Sequence, residues 1–162
     1  MSILKRVPNS VLWLLRFPAA AEKNLMQEAK LRGVREDQLH FTDVAPKDEH
    51  LARGYLADLF LDTSTVSAQA TACDILWSGT PLLTIEGGKM SNRMASSILR
   101  AIALEEMCTS SMSDYEELAV ALATDSERLF AIRTRLENSR DSCALFDTER
   151  WVRNFETALE EM

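Results

Sequence analysis

The stretch Leu59-Phe60-Leu61-Asp62-Thr63-Ser64-Thr65-Val66-Ser67-Ala68-Gln69-Ala70-Thr71-Ala72-Cys73-Asp74-Ile75-Leu76-Trp77-Ser78-Gly79-Thr80-Pro81 reads as a strand, a loop of small residues and a helix. The apolar run ends at Asp62, almost nothing bulky follows until Thr71, and a helix is predicted over 71–78, closed by Gly79-Thr80-Pro81. A strand that feeds a helix through small side chains brings several backbone N–H groups to one open point. A helix N-terminus carries free donors and a partial positive charge, which suits a phosphate. The same pattern serves an ordinary α/β crossover that binds nothing, and this stretch alone does not separate the two.

The flanking sequence repeats the alternation. Ser10–Phe17 is a continuous apolar run between Pro8 and Pro18, the form of a strand buried on both faces. Glu22–Leu31 is helical in composition and stops at Gly33. Leu39–Val44 is a second strand, Pro46 suits a helix start, and Lys47–Ala57 reads helical with Gly54 as a weak interior position. Leu82–Ile85 is a fourth strand and Met107–Thr109 a short fifth. Ser91 or Asn92 is placed to cap a helix with Met94, Ala95, Ile98 and Ile102 on one face. Beyond about residue 113 the pattern is purely helical. Ser113–Glu116 has a capping-box arrangement, Asp125 or Ser126 opens the next helix, and Phe146-Asp147 opens the last, with Trp151, Phe155 and Leu159 four residues apart.

This βαβαβαβα order with short links predicts an α/β chain: a Rossmann-like parallel sheet with helices on both faces, followed by a helical C-terminal tail. The expected organisation is a single domain, with 1–112 as the layered lobe and 113–162 as helices completing it. Ligands in such sheets bind outside the carboxyl ends of the strands, so loops 17–21, 44–47, 63–70 and 86–92 are expected to line one site.

The chain has 162 residues, 46% apolar and 27% charged, with a net charge of −7. That balance argues against a general nucleic-acid or anionic-membrane surface, while leaving room for a small anion in a locally basic pocket. No apolar run approaches the ~20 residues of a membrane span, and the first residues lack a signal peptide's apolar block. Cys73, Cys108 and Cys143 form no metal-ligating spacing with His40 or His50 and read as reduced thiols. Neither the G-x-G-x-x-G loop nor the P-loop is present.

Val44-Ala-Pro-Lys-Asp-Glu-His-Leu-Ala-Arg53 is a second candidate cluster at a strand's carboxyl end. Lys47, His50 and Arg53 lie three apart and share a helix face, an unusual concentration of cations in an acidic chain. Lys and Arg suit phosphate or ribose, and a His ring can stack on a base; a solvated helix face is the alternative. Asp74 is placed to accept hydrogen bonds from ribose hydroxyls, or simply sits near a helix N-terminus. Asp62 and Asp74 have no evident acid–base partner. His40, Lys89, Arg93 and the three tryptophans read as packing or surface residues.

Several segments together resemble one family. Ser2–Pro18, Val44–His50, Leu61-Asp-Thr63, Asp74–Pro81, Ser91–Ser97, Asp114–Ala119 and Leu145-Phe-Asp147 are similar, in order and spacing, to the C-terminal catalytic lobe of protein O-linked N-acetylglucosamine (O-GlcNAc) transferases. The resemblance implies the C-terminal half of a GT-B glycosyltransferase. Such enzymes carry an N-terminal TPR repeat array. They transfer N-acetylglucosamine from UDP-GlcNAc to Ser/Thr of nuclear and cytoplasmic proteins with inversion, and need no metal or other cofactor. It implies that Ala45 offers backbone hydrogen bonds to uracil, that His50 and Arg53 contact the base, and that Lys47 and Asp74 hold the ribose. Thr71 would bind the diphosphate, with Gln69 beside it. No catalytic residue is implied in this lobe.

The chain departs from the family pattern in two places. The family's His-Thr-Thr-Gly-x-Asp is here Gln69-Ala70-Thr71-Ala72-Cys73-Asp74. The family's phosphate-binding Gln and Lys would precede Met1. The expectation is therefore a lobe excised from a larger enzyme: inactive alone, meeting its protein acceptors through another lobe, cytoplasmic and nuclear, and free to self-associate through its last helix. A catalytically impaired nucleotide-sugar-binding scaffold and a protein O-fucosyltransferase are the alternatives.

Overall fold

The computed structural model describes all 162 residues. The elements follow in the order α1 (Ser2–Arg6), β1 (Leu12–Leu15), α2 (Ala19–Leu31), β2 (Leu39–Thr42), α3 (Lys47–Leu56), β3 (Phe60–Leu61) and α4 (Ala70–Trp77). They continue with β4 (Leu82–Ile85), α5 (Met94–Ala101), β5 (Cys108–Thr109), α6 (Met112–Thr124), α7 (Ser126–Ser139) and α8 (Thr148–Glu160). Every strand pairing is parallel, with Leu12 opposite Leu39, Phe60 opposite Leu82 and Thr84 opposite Cys108. This is the expected α/β class, each parallel step being made through a helix.

The single sheet is divided, however. Backbone ladders join β1 to β2 and, separately, β3 to β4 to β5. The two-residue strand β3 directs its ladder at β4, with Phe60 N–H donating to Pro81 O and Asp62 N–H to Leu83 O. One edge of β1 and one edge of β3 are left without a strand partner. The apolar run around β1 is not buried on both faces, as its composition suggests: Leu15 is 49% exposed and Phe17, beyond the strand, 76%.

The main core lies around β4, where Leu82 and Leu83 are fully enclosed. Leu76 of α4, Leu99 of α5, Leu122 of α6 and Leu136 of α7 close over them, together with Leu104 and Met107. Each fully buried leucine of this kind contributes about 1.5–3 kcal/mol. Helices α6 and α7 are thus built into the same core as the strands. A smaller cluster of Leu4, Ala29, Val34 and Leu39 supports β1 and β2. Arg6 of α1 reaches α6, bonding Glu117 at 2.7 and 2.8 Å.

Several local assignments differ from the sequence reading. Ser111, not Ser113, caps α6, accepting the Asp114 N–H at 3.0 Å. A 3₁₀ turn at Met90–Asn92 precedes α5, which begins after Arg93 rather than after Ser91 or Asn92. Gly54 is a packing requirement rather than a weak point: it is buried where α3 meets α4, and a Cβ there would fall 2.5 Å from Ser78 Oγ. Asp125 and Asp147 cap α7 and α8 as expected. α8 buries none of its residues, and Trp151, Phe155 and Leu159 are all exposed.

Candidate functional site

The carboxyl ends of the two strand groups meet through α3 and α4. β2 runs out at Thr42, loop 43–46 follows, and Pro46 precedes the first turn of α3. Proline fixes φ and has no N–H to lose, so it pre-sets this start. Lys47 is the first residue of α3. Asp74 lies on α4, which leaves the other group after β3. Lys47 Nζ approaches Asp74 Oδ1 at 3.3 Å, with the Lys side chain 71% exposed. An ion pair this open contributes about 0–1 kcal/mol to stability, so the fold does not depend on it. Its effect is to hold an ammonium and a carboxylate side by side at the mouth between the two groups.

Arg53, one face of α3 further on, turns back on the loop that precedes its own helix. Its Nη1 donates to Asp43 O at 2.7 Å and its Nη2 pairs with Glu49. Arg16, just beyond β1, holds the same loop from the other side through Asp43 Oδ1 at 2.7 Å and Phe41 O at 3.3 Å. Ala45 is half-buried between these clamps and His50 is half-buried on α3. The structure therefore brings Lys47 and Asp74 together, keeps Ala45 and His50 beside Lys47 in the loop and first turn of α3, and gives the Arg53 guanidinium a loop-holding position.

α4 opens differently from α6, α7 and α8. Gln69 stands at its N-cap without a side-chain capping bond, and its first turn has no acidic residue. The first backbone N–H groups of a helix have no intrahelical acceptor, so those of Ala70 and Thr71 point out of the open end. Gln69, Ala70 and Thr71 are exposed there. The loop leading to them is held from beneath. Asp62 is buried, and its Oδ1 accepts the N–H groups of Thr63 and Ala68, both at 2.8 Å, while its Oδ2 accepts Thr84 Oγ1–H at 2.6 Å. Tyr115 of α6 donates its O–H to Asp62 O at 2.9 Å. Ser67 N–H donates to Ser91 O at 2.8 Å, tying loop 63–70 to loop 86–92. The sequence reading left Asp62 without a partner. The available signal was an Asp at a strand end followed by Thr63 and a run of small residues, where a carboxylate commonly folds back on following N–H groups.

The remaining candidates lie apart. A cavity of about 570 Å³ opens beyond β4 and β5, lined by Glu86, Arg100, Cys108 and Asp114 among others. Its floor is an ion pair in which Arg100 holds Glu86 below the usual carboxylate range. Burial pushes the Cys108 thiol up to about 11 and also raises Cys73, so neither is an activated nucleophile. His40 is exposed and meets only the edge of Trp13. Trp77 carries Arg140 over its ring and Phe146 against its edge. No helix is long and apolar enough to cross a membrane.

Comparison with known proteins gives concordant results. The family described as Glycosyl transferase family 41 matches residues 1–155. The chain is 48% identical over 162 residues to the probable UDP-N-acetylglucosamine–peptide N-acetylglucosaminyltransferase SEC of Arabidopsis thaliana, covering 99% of the chain and 17% of that protein. It is 37% identical to the UDP-N-acetylglucosamine–peptide N-acetylglucosaminyltransferase of Caenorhabditis elegans, covering 100% of the chain and 14% of that protein. A solved mutant of Thermobaculum terrenum O-GlcNAc transferase superposes with a TM-score of 0.90 at 29% identity, over 98% of this chain and 31% of that one. The chain thus spans about a sixth of the length of the curated relatives it matches.

Proposed function

The chain belongs to glycosyl transferase family 41, and from that premise we propose that it is the nucleotide-sugar-binding lobe of a protein O-GlcNAc transferase, with UDP-GlcNAc as donor and Ser/Thr of proteins as acceptors. The observation that carries this reading is the convergence of Lys47, Asp74 and the open start of α4 where the carboxyl ends of the two strand groups meet.

On this reading the site offers three kinds of contact. Loop 43–46, clamped by Arg16 and Arg53, presents the Ala45 backbone to the uracil edge, with His50 alongside the base. Lys47 donates to ribose hydroxyls and Asp74 accepts from them. The diphosphate takes the Ala70 and Thr71 N–H groups and the Thr71 hydroxyl, where the helix dipole favours negative charge. During transfer the acceptor hydroxyl attacks the anomeric carbon from the face opposite UDP, its proton passing to a base that these residues do not supply. The new C–O bond forms as the bond to the diphosphate breaks, with inversion. This lobe stabilises the charge that develops on the departing UDP. A lobe that holds the donor without an acceptor cleft binds but does not turn over, so the 162 residues alone are expected to transfer no sugar to peptide.

Calorimetric titration of the chain with UDP tests the reading. Lys47→Ala and Asp74→Ala each remove a charged hydrogen-bonding partner, worth about 1.5–3 kcal/mol, and are expected to weaken UDP binding roughly 10- to 150-fold. Unchanged affinity in both variants would overturn the assignment. A second reading, a nucleotide-sugar-binding scaffold with impaired transfer, is favoured by Gln69 and Ala70, which place no cationic or hydroxyl side chain at the diphosphate. Transfer activity of the full-length parent protein separates the two.

A further inference from the structure

We propose that Asp62 is the positioning residue of the donor site: its carboxylate folds loop 63–69 so that the N–H groups at the start of α4 face the diphosphate. This inference rests on the donor-site reading above. The loop has no glycine between Thr63 and Gln69 and so cannot close by the left-handed conformations that glycine-rich phosphate loops use. A single buried carboxylate substitutes for them. Oδ1 receives the N–H at each end of the turn, Thr63 and Ala68, and so brackets residues 64–67. Within the bracket Thr63 Oγ1–H donates to Val66 O at 2.6 Å. Ala68 immediately precedes the N-cap residue Gln69, so its pinned amide fixes where α4 begins.

The anchor is itself tied into the core. Thr84, in the middle of the core strand β4, holds Oδ2, while Leu83 O and the Tyr115 hydroxyl hold the Asp62 backbone. Asp62 makes no ion pair with any Lys or Arg. Its carboxylate is satisfied by loop amides and one hydroxyl, an arrangement whose geometric consequence is the loop's shape. Buried Ser67, bonded to Ser91 O and to the Ala95 N–H, holds the middle of the same turn to the start of α5, while Asp62 holds both of its ends.

The test separates loop positioning from general stability by comparing two ligands in the folded chain. Uridine reads the Ala45–Lys47–Asp74 part of the site, and UDP adds the diphosphate at α4. Asp62→Ala is expected to lose at least about tenfold in UDP affinity, the scale of one or two lost hydrogen bonds to a charged group. Uridine affinity should change less than about twofold. In the same variant, hydrogen exchange of the Thr63 and Ala68 amides, the two that Asp62 Oδ1 accepts, should accelerate at least about tenfold. Asp62→Asn keeps an oxygen for both amides, and the Thr84 hydroxyl can turn to accept from the new NH₂ group, so it should recover most of the UDP affinity. Thr84→Val removes the Oδ2 tether without touching the loop and carries the test if Asp62→Ala does not fold. Faster exchange at Ala68 with weakened UDP binding is expected there too. Equal losses for uridine and UDP, or unchanged exchange of the Thr63 and Ala68 amides, would overturn the positioning role. A wild-type chain that binds neither ligand would overturn the donor-site reading instead, with the exchange data still deciding whether Asp62 sets the loop.

Discussion

Replacing Gly54 by alanine puts a methyl group at the crossing of α3 and α4. The added Cβ falls 2.5 Å from Ser78 Oγ, 3.2 Å from Ser78 Cβ and 3.3 Å from Ile75 Cδ1. The hydroxyl cannot simply swing aside, because it is buried and donates to Ile75 O at 2.7 Å. Nor can α3 slide freely, because Gly54 O receives the buried Thr80 hydroxyl at 2.5 Å. Overpacking of this kind costs about 1–3 kcal/mol, while alanine in place of glycine inside a helix returns about 0.5–1 kcal/mol. The net expectation is a loss of about 1–2 kcal/mol, or roughly 2–8 °C in the thermal midpoint for a chain of this size. Ser78→Ala alone removes one buried hydrogen bond, about 1 kcal/mol. In the double variant the 2.5 Å contact no longer exists and the remaining contacts can relax by a few tenths of an ångström. It should therefore be more stable than the sum of the single losses predicts, by about 1 kcal/mol. Thermal melts followed by circular dichroism, with the four proteins compared as a cycle, give the number directly. Strict additivity, or a Gly54→Ala chain that melts above wild type, would refute the close approach of α3 and α4.

Other expectations follow from particular contacts. Cys108, with its thiol near 11, carries about one thiolate in a thousand at pH 8, so iodoacetamide should leave it unmodified in the folded chain at pH 8 and label it progressively as the pH rises toward 11; prompt labelling at pH 8 would contradict its burial. Glu86 is depressed by Arg100, so its contribution is present above the unfolded value near pH 4 and is lost as the pH falls through the lower folded value. The stability gap between wild type and Glu86→Gln in urea titrations should accordingly be open at pH 7 and closed in strong acid. Asp125→Ala removes the side chain that accepts Arg128 N–H at 2.9 Å and should cost about 0.5–2 kcal/mol, measured by the same titrations. The exposed Trp151, Phe155 and Leu159 stripe on α8 predicts concentration-dependent association in sedimentation, abolished by Phe155→Glu; a strict monomer at high concentration would count against it.

How far the sequence could be read depended on whether a signal was local. The β4 run, the start of α3 after Pro46 and the Asp caps of α7 and α8 were legible because apolar runs, fixed φ and short-range side-chain acceptors act within a few residues. The exposure around β1 was not, because an apolar run does not say what packs over its faces, and only the small cluster of Leu4, Ala29, Val34 and Leu39 supports it. Gly54 looked like a helix weakness because its reason is Ser78, on another element. The Lys47 and Asp74 candidates were visible as charged residues near helix starts, but their 3.3 Å approach depends on how two crossovers pack. Asp62 shows the same limit: Thr63 is its neighbour in sequence, whereas Ala68, Thr84 and Tyr115 become its partners only when the strand, loop and α6 are assembled.

This distinction bears on the substitutions at Gln69 and Ala70. A hydroxyl or an imidazole at the start of α4 contributes through its side chain, so its replacement subtracts that contact alone. The N–H groups of Ala70 and Thr71 belong to the backbone and are indifferent to which residues carry them. They depend instead on the course of the chain into the helix, which Asp62 governs through Ala68. On the proposed reading, the donor site of this chain therefore relies more on loop shape than that of a relative with His and Thr at these positions. A loop-shaping variant such as Asp62→Ala should accordingly be more damaging here than in such a relative, because fewer side-chain contacts remain to hold the diphosphate when the amides move.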